Sequence, residues 1–191
     1  MDNKSKKFLY IILFGGELFL FFVAFIILII KKQSFISIFT AHQNFNIILL
    51  FYLMFLSFLL ALIITFLVIK LNIFTDIKKI IKEIITNFNL NIFDIFIISA
   101  MAGFCEEILF RGVLQPMLGI WLTSFIFILL HGYFNPVNWR ISVFGILMFW
   151  LSMILGFIYV NLGLSAAIIF HISYDFFAFL LFKNLQKNLY L

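Results

Sequence analysis

Three sets of ionisable residues stand where apolar residues would be expected. Glu106, Glu107 and Arg111 lie in CEEILFRG, His131 ends FIFILLHG, and His171 and Asp175 lie in HISYD. Each falls within or at the end of a long apolar run. An ionisable group deep in such a run is costly and is a functional candidate by default. Adjacent carboxylates on a helix point about 100° apart, so Glu106 and Glu107 cannot share one role. Glu107 and Arg111 are spaced i,i+4, meet on one face and can pair. Glu106 is left aimed elsewhere without a local partner, which suits general-base work. His171 and Asp175 have the same i,i+4 spacing and project from one face of another helix.

A carboxylate and a neutral imidazole can together hold and deprotonate a water molecule. A second histidine with a polar neighbour can stabilise an oxyanion. That is the equipment of amide hydrolysis. No Ser or Thr has an evident base beside it, and Cys105 reads as a packing residue, so a covalent nucleophile is not favoured.

The elements that must position these groups are membrane helices. The chain is 65% hydrophobic and 11% charged, whereas soluble domains are about half apolar and a quarter charged. Six apolar spans are expected: Phe8 to Ile30, Phe45 to Ile69, Ile92 to Leu118, the short Ile120 to His131, Ile141 to Val160, and Leu164 to Phe182. The first is too long for a cleaved signal segment and reads as a retained helix. Lys4, Lys6, Lys7, Lys70, Lys78, Lys79, Lys82, Arg140, Lys183 and Lys187 then fall on one side, and Lys31 and Lys32 on the other. The positive-inside rule puts both termini in the cytoplasm of a multi-pass cell-membrane protein. The net charge of +5 is therefore topological and does not point to nucleic acid. The lone cysteine excludes an intramolecular disulfide.

With turns near Gly119 and Leu162, Glu106 lies 13 residues before the first turn and His131 12 residues after it. Asp175 lies 13 after the second. At about 1.5 Å per residue all three sit about 18–20 Å below the turns, with His171 one turn higher. Four polar groups on three helices thus share one layer.

These residues resemble the CPBP family, the CAAX proteases and bacteriocin-processing enzymes, also called the Abi or CAAX amino-terminal protease family. Its EExxxR motif is matched by Glu106, Glu107 and Arg111, its FxxxH by Phe127 and His131, and its HxxxN or HxxxD by His171 and Asp175. The order agrees, and the resemblance covers roughly Ile92 to Phe182. It implies a glutamate-dependent intramembrane protease. Glu106 and His131 would activate the water, and His171 and Asp175 would polarise the scissile carbonyl. Glu107, Arg111 and Phe127 would support them structurally. Asp175 departs from the asparagine form, because a carboxyl donates only when protonated; its alternative task is to orient His171. A zinc ion would be held by His131, His171 and Glu106. With no HExxH and with ligands coming singly from separate helices, a metal-free site without a cofactor is preferred.

The expected organisation is one all-α polytopic membrane domain, 1–191, with its active site within the membrane. A catalytic core would occupy 92–182 and two accessory transmembrane helices 1–70. A cytoplasmic interfacial segment would occupy 71–91, with Asp76 to Asn91 amphipathic. The expected partners are the lipid bilayer and a membrane-associated peptide or protein, prenylated or a peptide precursor. A non-catalytic relative in bacteriocin self-immunity or scaffolding is the alternative, ahead of a small proton-coupled transporter. Glu17 lines a substrate cavity, pairs with a neighbouring helix or reaches the interface. His42 reads as a solvated loop residue, Trp121, Trp139 and Trp150 as anchors or packing, and Gly112, Gly119, Gly156 and Gly163 as close-packing or turn residues.

Overall fold

A computed structural model describes residues 3–40 and 46–188, and the side chains of 6–40 and 46–185. His42, Phe45 and the side chains of Lys4 and Lys187 lie outside the described residues. All regular elements among them are helical: α1 (Asn3–Ile30), α2 (Ser37–Thr40), α3 (Ile47–Lys70), a 3-10 turn (Asn72–Phe74), α4 (Thr75–Asn87), α5 (Ile92–Glu107), a π-helical stretch (Ile108–Leu114), α6 (Gln115–Leu130), α7 (Trp139–Leu162) and α8 (Leu164–Asn188). Apolar chain in lipid must satisfy its own backbone polar groups, and a helix does so within one segment. Asparagines set three of the starts. Asn46 accepts from the Leu49 N–H, Asn91 forms a capping box with Asp94, and Asn138 accepts from the Arg140 N–H. Each such cap contributes about 1 kcal/mol.

Five apolar lengths are sufficient to cross a membrane: Lys6–Ile30, Ile47–Lys70, Ile92–Leu130, Trp139–Leu162 and Leu164–Leu185. The protein is thus a multi-pass membrane helix bundle. The third length has 39 residues, or about 58 Å of helix, roughly twice the ~30 Å hydrocarbon core. Gly119, at φ 75° and ψ 170°, breaks it in a conformation that only glycine adopts freely. The two arms then fold back on one another. The rings of Phe110 and Phe127 lie 4.9 Å apart, and the Arg111 guanidinium lies 5.2 Å from the Phe127 ring centre. The expected third and fourth spans are therefore the unequal arms of one hairpin. The second arm, about 16 Å from Ile120 to Leu130, is shorter than the ~30 Å hydrocarbon core. It leads into the loop 131–138, which secures its own backbone: the Asn135 side chain accepts from the N–H groups of Val137 and Asn138. The π-helical stretch was not expected. Its position directly after the two glutamates fits the tendency of such distortions to occur at functional sites.

One end of the bundle gathers the starts of α1, α5 and α7 with α4 and the end of α8. Lys6 and Tyr10 bond Asp94, Asn138 donates to Asp76 at 2.9 Å, and Lys183 donates to the Leu90 carbonyl. The helix α4 is amphipathic, with Ile77 and Ile85 buried and Lys79 and Glu83 exposed. Helix α8 packs along both α3 and α5. At Gly103 the α5 backbone comes so close to α8 that a Cβ would sit 2.7 Å from Ile172 Cγ1 and 2.9 Å from its backbone nitrogen. This contact sets the distance across which the α5 glutamates meet the α8 histidine.

Candidate active site

Glu106 and Glu107 end α5 and turn to different neighbours, as their 100° separation requires. Glu107 faces inward. Its Oε2 lies 3.3 Å from Arg111 Nε, and neither side chain has any exposed surface. Arg111 is fixed further by α7: its Nη2 donates to the Ser152 carbonyl at 2.9 Å and to the Ser152 hydroxyl at 2.8 Å. A buried ion pair needs such added hydrogen bonds, because desolvation of the two charges can otherwise exceed their attraction.

Glu106 faces a cavity of about 380 Å³. Its Oε1 lies 3.3 Å from His131 Nε2 and its Oε2 lies 3.8 Å from His171 Nε2. His131 Nδ1 is 2.8 Å from the Phe127 carbonyl, which can only accept, so Nδ1 carries the hydrogen. Likewise His171 Nδ1 donates to Glu107 Oε1 at 2.8 Å. In the neutral form of either ring, Nε2 is then a bare acceptor. His171 Nε2 also lies 3.5 Å from Asp175 Oδ2. Two imidazole lone pairs and two carboxyl groups thus converge on one another. Acceptors in that arrangement repel unless a proton or a donor stands among them. A water molecule or a protonated imidazole supplies what the geometry lacks.

The structure brings together Glu106, His131, His171 and Asp175, with Phe127 also in the cavity wall and Glu107 and Arg111 behind it. His131 is stacked against Phe127 at 4.2 Å between ring centres and against Tyr133 at 5.6 Å. Glu106 lies within 3.8 Å of both imidazoles that a zinc ion would take. Among the described residues, no three His, Cys, Asp or Glu side chains are arranged to hold a metal ion. Cys105 is a buried free thiol.

Several contributors were not legible in the sequence. Ser152 secures Arg111, and Gln115 donates to the Gly156 carbonyl at 2.9 Å. The four-residue spacing of Ser152 and Gly156 is the small-residue pattern of close helix contact, and was the one available signal. Glu107 holds His171 as well as Arg111. Tyr133 and Tyr174 line both this cavity and a second of about 420 Å³, which is walled by the isoleucines of α4. Burial pushes the Tyr133 hydroxyl above its ordinary range and keeps it a neutral donor. Glu17 is among the residues that line the cavity.

Residues 88–177 match the family model of Rce1-like type II CAAX prenyl endopeptidases. No curated protein and no solved structure matched the chain. The match spans both glutamates, both histidines, Arg111 and Asp175, and it supports a CAAX-type intramembrane endopeptidase. The segment that builds the site is thus similar to the CPBP, or CAAX protease, family.

Proposed function

We propose that the protein hydrolyses a peptide bond of a membrane-associated peptide or protein, prenylated or a peptide precursor, with a water molecule activated by Glu106 and His131. The observation that carries this reading is the Glu106 carboxylate set between two imidazole Nε2 atoms in a cavity. Glu106 takes a proton from the water while His131 Nε2 aligns it. The resulting hydroxide forms the new C–O bond, and the carbonyl π pair moves to oxygen. His171, when protonated at Nε2, donates to that oxyanion, with Glu107 and Asp175 compensating its charge. Collapse breaks the C–N bond, and Glu106 returns its proton to the leaving amine. Phe127 and Glu107 act as orienters, because each fixes the tautomer of one ring through Nδ1.

We favour catalysis without a metal, since a carboxylate and imidazoles supply every proton transfer in this scheme. We also propose that both termini lie in the cytoplasm of a cell-membrane protein. The basic residues Lys6, Lys78, Lys79, Arg140 and Lys183 all belong to the helix ends gathered at one face, which supports that orientation. The test is cleavage of a peptide library by purified protein in lipid nanodiscs, alongside Glu106→Gln and His131→Ala. Cleavage by wild type alone is expected. Equal cleavage by Glu106→Gln would remove Glu106 from the mechanism.

A further inference from the structure

Glu17 is the one carboxylate of the catalytic cavity that the scheme above does not use. It comes from α1, outside the family-matched segment 88–177. Its height follows from the pairing of two helices. Lys6 and Tyr10 of α1 bond Asp94 of α5. Glu17 lies 11 residues beyond Lys6, and Glu106 lies 12 beyond Asp94. On two helices running in the same direction these are nearly equal rises, about 16 and 18 Å. Lys6, Tyr10, Leu13 and Glu17 follow helical spacing, so one stripe of α1 runs from the Asp94 anchor up to the cavity. Leu13, Phe14 and Glu17 all line it.

The Glu17 carboxyl shares the cavity with Glu106, Asp175 and two histidines. Its Oε2 is buried without a hydrogen-bond partner among the described residues. No Lys or Arg is among the described residues that line the cavity. Arg111 does not line the cavity and is enclosed by Glu107 and Ser152. A partly buried carboxylate is costly until a cation or donor reaches it. The rest of the wall on this side is Leu13, Phe14, Ile98 and Met101. That combination suits a long aliphatic stem ending in a charged head.

We propose that Glu17 is a specificity-determining residue, which holds a basic side chain of the substrate, lysine or arginine, beside the scissile bond. This rests on the endopeptidase reading of the site. Glu17 takes no part in water activation; it selects and positions what is cut.

The experiment uses internally quenched apolar decapeptides in which a single lysine is walked along the sequence, each paired with its acetyl-lysine counterpart. Full-length protein in nanodiscs is assayed for kcat/KM, and the Glu106→Gln protein for binding of the same peptides by fluorescence anisotropy. At one lysine position the charged peptide should exceed its acetylated partner by ~10-fold or more in both assays. Glu17→Gln should bring that ratio close to one. Cleavage with no position favouring lysine, or a lysine preference that survives Glu17→Gln, would overturn the proposal and leave the peptidase reading standing. A lysine preference in binding that depends on Glu17, with no cleavage of any peptide, would uphold the Glu17 site and overturn the peptidase reading. Absence of preference in both assays would overturn the Glu17 site.

Discussion

Oε1 of Glu107 lies 2.8 Å from Nδ1 of His171, while Oε2 of the same carboxylate lies 3.3 Å from Arg111 Nε. One side chain thus both neutralises a buried cation and fixes the tautomer of a cavity histidine. Glu107→Gln keeps an acceptor for Nδ1 but removes the charge. Cleavage should fall by about 10- to 100-fold, as for other carboxylates that orient a functional imidazole. Initial rates with matched protein amounts check this, and an unchanged rate would show that His171 needs no anion behind it.

Arg111 has a structural task, and its loss should be read in stability. Arg111→Ala leaves Glu107 buried and unpaired, at a cost of about 3–5 kcal/mol. Arginine meets Ser152 through Nη2 and Glu107 through Nε, which a single lysine nitrogen cannot reproduce, so Arg111→Lys should be only a partial repair. Thermal unfolding in detergent measures both variants. A fully stable Arg111→Ala protein would contradict the assignment.

Gly103 sets the spacing of α5 and α8. A Cβ there meets the Ile172 backbone nitrogen at 2.9 Å, which a change of the Ile172 side chain cannot relieve. Gly103→Ala should cost about 1–3 kcal/mol and lower cleavage by moving Glu107 away from His171. Ile172→Ala added to it should not restore activity. Restoration would mean that the side chain alone limits the approach.

Gly119 makes the hairpin. At φ 75° and ψ 170° a Cβ is strained although nothing crowds it, so Gly119→Val should cost about 1–3 kcal/mol. The loss should appear as reduced abundance of folded protein by size-exclusion fluorescence. Wild-type abundance would indicate that the turn can form elsewhere.

Local spacing made part of this legible in the sequence. The i,i+4 relation of Glu107 and Arg111 gave their pairing, and near-equal distances from Gly119 gave the meeting of Glu106 with His131. Both depend only on helix geometry. What was hidden depends on tertiary partners. The Phe110–Phe127 contact could not be singled out among 30 phenylalanines. Ser152 is an ordinary residue in an apolar run until α7 is laid against Arg111. The π-helical stretch carries no mark in ILFRGVL. The short arm after Gly119, by contrast, was legible as the expected fourth span.

The account stands on Glu106 as the base that activates water. The most direct measurement is single-turnover cleavage of one identified peptide by nanodisc-embedded protein, comparing wild type, Glu106→Gln and wild type dialysed against a zinc chelator. The account predicts that Glu106→Gln loses at least ~100-fold in rate with its unfolding midpoint unchanged, and that chelation leaves the wild-type rate intact. A Glu106→Gln rate within a few fold of wild type, or wild-type activity abolished by the chelator and restored by added zinc, would contradict it.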